Sequence, residues 1–137
     1  KLCKKNDIDT VAKLVIFDNK DRVLLLKRSD YHKKFAGEWD LPGGHLQEGE
    51  NLIDGLKREV FEETRLKVEN PTWFKKIENL NFFYSSYNSQ KIVTSHEHVD
   101  YKFFEKSSLD ENEKFQRVAL RALEVKDEHF NNQKRNQ

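Results

Sequence analysis

The sequence carries one cysteine, Cys3, among 137 residues, so no internal disulfide is open to it. A lone thiol fits a reducing compartment and gives the expectation of a cytoplasmic protein. Methionine is absent and the chain opens at Lys1. The numbering therefore does not start at a translation start, and whether a leader precedes it stays open. Long apolar runs are lacking as well. The longest candidate, Val23 to Leu26, is the size of a strand, far below the roughly 20 residues a membrane-spanning helix needs. No excess of one charge exists either: 25 Lys and Arg face 24 Asp and Glu, a net charge of +1. There is no global pull towards nucleic acid or an anionic membrane, and an anionic ligand must be held by local charge.

Charged and hydrophobic residues each make up 36% of the chain. That is polar, but the apolar residues fall in organised clusters, which argues against disorder. The length fits one domain with a proper core, expected to fill residues 1–137 with flexible ends at about 1–9 and 132–137.

Thr10 to Phe17 is rich in β-branched residues and reads as a strand. A turn cluster at Asp18 to Asp21 links it to a second strand, Arg22 to Arg28, forming a hairpin. Tyr31 to Trp39 reads as a polar loop, and Leu41-Pro42-Gly43-Gly44 as strong punctuation. Leu52 to Leu66 is the clearest helix. Ile53, Leu56 and Val60 form its expected core stripe, and Asn51 its N-cap, with Asp54 three residues on. Aromatic and β-branched runs between Thr72 and Phe104, including Ile92-Val93-Thr94, predict two or three strands around a turn at Asn88-Ser89-Gln90. Ser107 to Lys114 reads as a loop. Phe115 to Ala122 fits strand or helix, and Asp127 to Asn132 a short helix. Hairpins with one strong helix point to an α+β fold.

The chemistry concentrates on that helix. Glu59, Glu62 and Glu63 stand at i, i+3 and i+4, so their carboxylates share one face. Three like charges repel unless a cation sits among them, and hard divalent cations take carboxylate oxygens. The alternative is a solvated acidic face with Lys57 and Arg58 beside it. The spacing around the helix decides between them. Five residues separate Gly44 from Glu50, and seven separate Glu50 from Arg58. From Gly44 the stretch reads G-x5-E-x7-R-E-V-x-E-E-T-R-L.

This stretch resembles the Nudix hydrolase signature, G-x5-E-x7-R-E-U-x-E-E-x-G-U with U a bulky apolar residue. Gly44, Glu50, Arg58, Glu59, Val60, Glu62, Glu63 and Leu66 match. One position departs: Arg65 stands where the family has glycine. That glycine ends the helix in a left-handed turn, so Arg65 either adopts this conformation at about 1–2 kcal/mol or the helix ends differently. Gly55 is a second oddity, a mid-helix glycine that close packing against a strand would explain.

The resemblance implies a Nudix fold, with a mixed sheet between helices, and a loop–helix–loop that holds Mg²⁺ or Mn²⁺ against a diphosphate. It implies Glu59, Glu62, Glu63 and the carbonyl of Gly43 as metal ligands, and Arg58 as the group that orients the carboxylates, with Glu50 as its partner. Metal-bound water would attack phosphorus, with Glu59 or Glu62 as base, Glu59 the better candidate. Some relatives take the base from a later loop, where Glu111 and Glu113 stand here. Arg28, at a strand end where relatives place a phosphate-binding arginine, either binds substrate or is an exposed charge. Trp39 either closes the pocket over a base or belongs to the core, the commoner place for an aromatic. His96 and His98 would share a strand face but make a poor metal site by themselves. Tyr84 lies near where certain dinucleoside-polyphosphate hydrolases carry a tyrosine, or is core. The expected partner is a small-molecule nucleotide. A non-catalytic nucleotide-binding module and an enzyme directed at RNA 5′ ends are the alternatives. For the latter, Lys4-Lys5, Lys33-Lys34 and Lys134-Arg135 supply local charge, against a near-neutral total.

Overall fold

A computed structural model describes residues 9–29 and 37–135. Cys3, Lys4-Lys5, Lys33-Lys34 and most of the expected Tyr31–Trp39 loop lie outside these residues, as do the side chains of Lys134 and Arg135. The strands are β1 (Val11–Phe17), β2 (Val23–Arg28), β3 (Trp39–Asp40), β4 (Gly43–His45), β5 (Thr72–Ile77), β6 (Leu80–Ser86) and β7 (His98–Phe104). The helices are α1 (Leu52–Thr64) and α2 (Lys114–Arg135), with a 3₁₀ turn at Lys106–Ser108. No helix among the described residues is long and apolar enough to cross a membrane.

The sheet runs β3-β2-β1-β6-β5, with β4 also on β1 and β7 also on β2. β1 pairs in parallel with β6 and antiparallel with β2 and β4. Side chains alternate across β1, β2 and β6, and the two faces feed two cores. Leu14, Leu24, Leu26 and Phe83 pack with Leu56 and Val60 of α1. Val15, Val23, Leu25 and Phe82 pack with Val118, Ala119, Ala122 and Leu123 of α2. The result is a mixed sheet between two helices, in line with the α+β expectation.

Several elements differ from expectation. Ile53 is exposed, at 42%. The buried stripe of α1 starts instead at the half-buried Leu52 and continues through Leu56, Val60 and Glu63-Thr64. Phe115 to Ala122 and Asp127 to Asn132 belong to one helix of 22 residues. Its stripe is Val118, Ala119, Ala122 and Leu123, a helical period that two alanines hide from a search for bulky residues. Ile92-Val93-Thr94 is not a strand. The segment closes the C-terminus of α1, where Val93 N–H donates to the Thr64 carbonyl at 3.0 Å and Ser95 N–H to that of Glu63 at 3.2 Å. These bonds satisfy carbonyls that a helix end leaves open.

Both ends of α1 follow their caps. Asn51 Oδ1 accepts from the Asp54 N–H at 2.9 Å. At the other end Arg65 is left-handed, with φ 66° and ψ 12°, and its N–H reaches the Phe61 carbonyl at 2.8 Å. Its guanidinium lies 5.2 Å from the Phe61 ring centroid, a contact glycine would lack. A Cβ on Gly55 would meet Leu46 at 2.8 Å and a Glu50 carboxylate oxygen at 3.0 Å. The glycine lets α1 press on the residues that follow β4.

Candidate active site

The N-terminal half of β1 fixes the glycine turn against the acidic helix. Lys13 pairs with Gly43 and Ala12 with Gly44, and Leu14 N–H donates to the Pro42 carbonyl at 2.9 Å. Gly43 has φ +132°, and a Cβ there would lie 2.1 Å from the Ala12 carbonyl oxygen, inside the sheet. Its N–H donates to Glu63 Oε1 at 2.9 Å. Gly44 is needed for a different reason: a Cβ there would lie 2.4 Å from Glu59 Oε1. The glycine pair is thus the floor on which two of the three helix carboxylates rest.

These carboxylates differ in environment. Glu63 is buried at 6% exposure. Burial pushes its carboxyl up to about 8, against the nearby Lys13 charge and the Gly43 N–H, which pull the other way. Glu59 is half-buried, and burial raises it too, though Arg58 opposes the shift. Glu62 is largely exposed, with its carboxylate turned towards Arg58 at 3.3 Å. Arg58 organises the group. It grips Glu50 through Nε at 2.8 Å and a terminal nitrogen at 3.1 Å, and reaches Glu59 at 3.0 Å and the His45 carbonyl at 3.1 Å. The fork with Arg58 holds the Glu50 carboxyl below the usual carboxylate range.

A cleft of about 410 Å³ opens beside this ledge, lined by Glu59, Glu63, Glu97, Lys13, Arg28 and Asp40 among others. Its lining thus combines carboxylates with two cations. Arg28, next to a register shift in the β2–β7 pairing, donates to Asp40 Oδ2 at 2.9 Å, while its buried Nε has no hydrogen-bond partner among the described residues. Asp40 also takes Lys13 Nζ at 3.2 Å. A second cavity of about 410 Å³ shares Lys13, Arg28 and Asp40 with the first and adds Trp39, Glu113 and Phe115. Trp39 is half-buried there and meets Phe104 edge-on at 5.0 Å between centroids.

Other candidates fall elsewhere. Glu111 lines neither cavity. Glu113 lines the second, but its carboxylate accepts the N–H groups of Phe115 and Gln116 at the start of α2. The acid of a later loop that does line the first cleft is Glu97, held there as Ser29 N–H donates to its carbonyl at 2.9 Å. It sits in the His96-Glu97-His98 run, where the histidines draw attention as metal ligands and the glutamate between them does not. His96 lies in a turn rather than on a strand, and His98 is buried rather than on the strand surface. Tyr84 belongs to the α2-side core, and its hydroxyl bonds His129 Nδ1. Lys13 and Asp40 were not anticipated from sequence.

The donor set suits a hard divalent cation: buried or half-buried carboxylates, held next to a glycine turn, whose charge burial disfavours. Among the described residues no three His, Cys, Asp or Glu side chains already converge as a cage. Arg58 holds the Glu62 carboxylate at 3.3 Å, so the donors that sit together for an ion are Glu59 and Glu63 beside the glycine turn.

A model of the NUDIX domain matches residues 8–134. Curated relatives include Nudix hydrolase 6 of Arabidopsis thaliana, 41% identical over 59 residues, which are 43% of this chain and 21% of the relative. Another is the oxidized purine nucleoside triphosphate hydrolase of Mus musculus, 44% identical over 57 residues, 41% of this chain and 35% of that protein. The chain thus spans about a fifth to a third of these relatives. Among solved structures, the MutT protein from Methanosarcina mazei Go1 is similar with a TM-score of 0.67 at 25% identity, covering 85% of this chain and 94% of that one. A Caenorhabditis elegans Ap4A hydrolase shares the fold with a TM-score of 0.65 at 22% identity, covering 85% and 95%.

Proposed function

The chain belongs to the Nudix family, and from that premise we propose that it is a hydrolase that splits the diphosphate linkage of a nucleoside-diphosphate derivative with Mg²⁺ or Mn²⁺. One observation carries the reading: a single cleft is lined by Glu59, Glu63 and Glu97 together with Lys13 and Arg28. A diphosphate needs both kinds of group, since its oxygens take a metal cation held by carboxylates as well as basic side chains.

Glu59, Glu62, Glu63 and the Gly43 carbonyl are the residues that would hold the ion. Bound there, it would neutralise phosphate charge and lower the pKa of a coordinated water. Arg58 fixes Glu59 relative to Glu50, so that this part of the ledge is built before substrate arrives. Glu59 is our choice of base. It borders the cleft, and burial raises its affinity for a proton. Glu62 is more exposed and turned to Arg58. Arg28 lines the cleft as a cation for a phosphate oxygen. The cavity beside Trp39 and Phe115 takes the organic group attached to the diphosphate, with an aromatic face for a base. We assign the protein to small nucleotides rather than to nucleic acid, given its near-neutral charge, and to the cytoplasm, given its lone cysteine.

The test is a panel with Mg²⁺ or Mn²⁺: nucleoside triphosphates and their oxidised forms, ADP-ribose, nucleotide sugars, dinucleoside polyphosphates and capped RNA. Glu62→Gln is the control. Its exposure predicts an intact fold, and turnover should vanish in it. Turnover on no member by a folded protein would overturn the enzyme in favour of a binding module.

A further inference from the structure

β1 carries a charge where its pattern calls for core. Val15 and Phe17 project to the α2 side of the sheet, and Lys13, on the same face by alternation, is 8% exposed. Burying an ammonium is costly unless it is paired and hydrogen-bonded. Lys13 Nζ lies 3.2 Å from both Asp40 oxygens and 3.2 Å from the Leu41 carbonyl, with the Phe115 ring 5.5 Å away. Asp40, itself 4% exposed, also takes Arg28 at 2.9 Å. One buried carboxylate thus carries two cations, and the trio keeps a positive charge in excess.

As a stabilising device this is a poor one, because apolar residues of similar volume serve a buried position as well or better. Its placement is more telling. Lys13, Asp40 and Arg28 are the residues that the two cavities share, so a ligand reaching from the glutamate ledge to Trp39 must cross them. Each cation also keeps a donor. The Nε of Arg28 is buried with no hydrogen-bond partner among the described residues. Lys13 has three N–H groups. One shared between the Asp40 oxygens and one on Leu41 leave a third.

We propose that Lys13 is a second phosphate-binding cation beside Arg28, and that Asp40 is a positioning residue that holds the two at a fixed spacing across the join of the cavities. This rests on the diphosphate reading above. Asp40 touches no substrate in this scheme. Its negative charge stops the two cations from repelling one another while leaving the net charge that attracts an anion.

Two readouts test it in the Mg²⁺-loaded protein: kcat and KM on whichever panel member the wild type hydrolyses, and calorimetric affinity for methylenediphosphonate, which needs no turnover. Lys13→Met keeps length and suits an apolar face. It should weaken diphosphonate binding and raise KM by about tenfold or more, the worth of one charge-assisted hydrogen bond. Its kcat should stay within about threefold, because the residue binds rather than reacts, and its Tm should hold or rise. Asp40→Asn should raise KM at least as much, and the pair should cost less than the product of the single effects, because Asp40 acts partly through Lys13. If Asp40→Asn does not fold, Lys13→Met alone decides. Wild-type affinity and KM in Lys13→Met would overturn the proposal, as would effects of the two changes that simply multiply. A wild type that hydrolyses nothing would sink the functional reading instead, while the diphosphonate comparison would still judge Lys13.

Discussion

Alanine at Gly43 and alanine at Gly44 should give opposite phenotypes, although the positions are adjacent. At Gly43 the new Cβ would meet backbone: the Ala12 oxygen at 2.1 Å and Lys13 Cα at 2.8 Å, at φ +132°. Neither can move without parting β4 from β1. The forced conformation costs about 1–3 kcal/mol, and each lost ladder bond about 0.5–1.5 kcal/mol. The loss should reach about 4 kcal/mol, a fall in Tm of more than about 10 °C for a chain of this size. At Gly44 the backbone is not in the left-handed region, so alanine is acceptable there and should change Tm by less than about 3 °C. The clash falls on a side chain, with Glu59 Oε1 at 2.4 Å and its carboxyl carbon at 2.6 Å. The carboxylate must retreat by about 1 Å, a displacement that costs on the order of 100-fold in rate when it moves a reacting group. Thermal melts and kcat of both variants check the pair. A Gly44→Ala enzyme with wild-type kcat would refute the claim that Glu59 must rest on that glycine. A Gly43→Ala protein with an unchanged Tm would refute the backbone clash.

Arg65→Gly should leave Tm unchanged or raise it by a few degrees. Relief of the left-handed strain returns about 1–2 kcal/mol. Loss of the Phe61 contact and a looser unfolded chain take back about 0.5–1 kcal/mol each. A fall of more than about 5 °C in a melt would contradict this. The stability of the metal-free protein should fall as pH rises from 5 to 8. The Glu63 carboxyl is raised from 4.5 to about 8 in the fold, so its stabilising proton is fully bound below pH 4.5 and lost through pH 8. On the proposed reading Mg²⁺ would compete for the ionised form, so the Tm rise on adding Mg²⁺ should be larger at pH 8 than at pH 5. An equal rise at both would argue against Glu63 as a ligand.

The parts legible in sequence were those written in local spacing. Helix α1, its Asn51 cap and the positions of Glu59, Glu62 and Glu63 follow from periodicity and fixed gaps. Strands β3 and β4 are two and three residues long, too short for any alternation to register, and they contain the glycines that usually mark turns. The α2 stripe was hidden by Ala119 and Ala122. Ile92 to Thr94 has the composition of a strand but finds its hydrogen bonds at the end of a helix. Lys13 was least legible of all: a charge inside an apolar strand means little until Asp40, 27 residues away, is seen beside it.

The central claim is that this chain directs water onto a diphosphate phosphorus. The most direct measurement is turnover in ¹⁸O-enriched water with Mg²⁺, with the products read by ³¹P NMR or mass spectrometry. One ¹⁸O on a product phosphate, absent in Glu62→Gln, is the predicted result. Product in which the label appears on carbon rather than phosphorus, or no product from any diphosphate-containing nucleotide, would contradict the account.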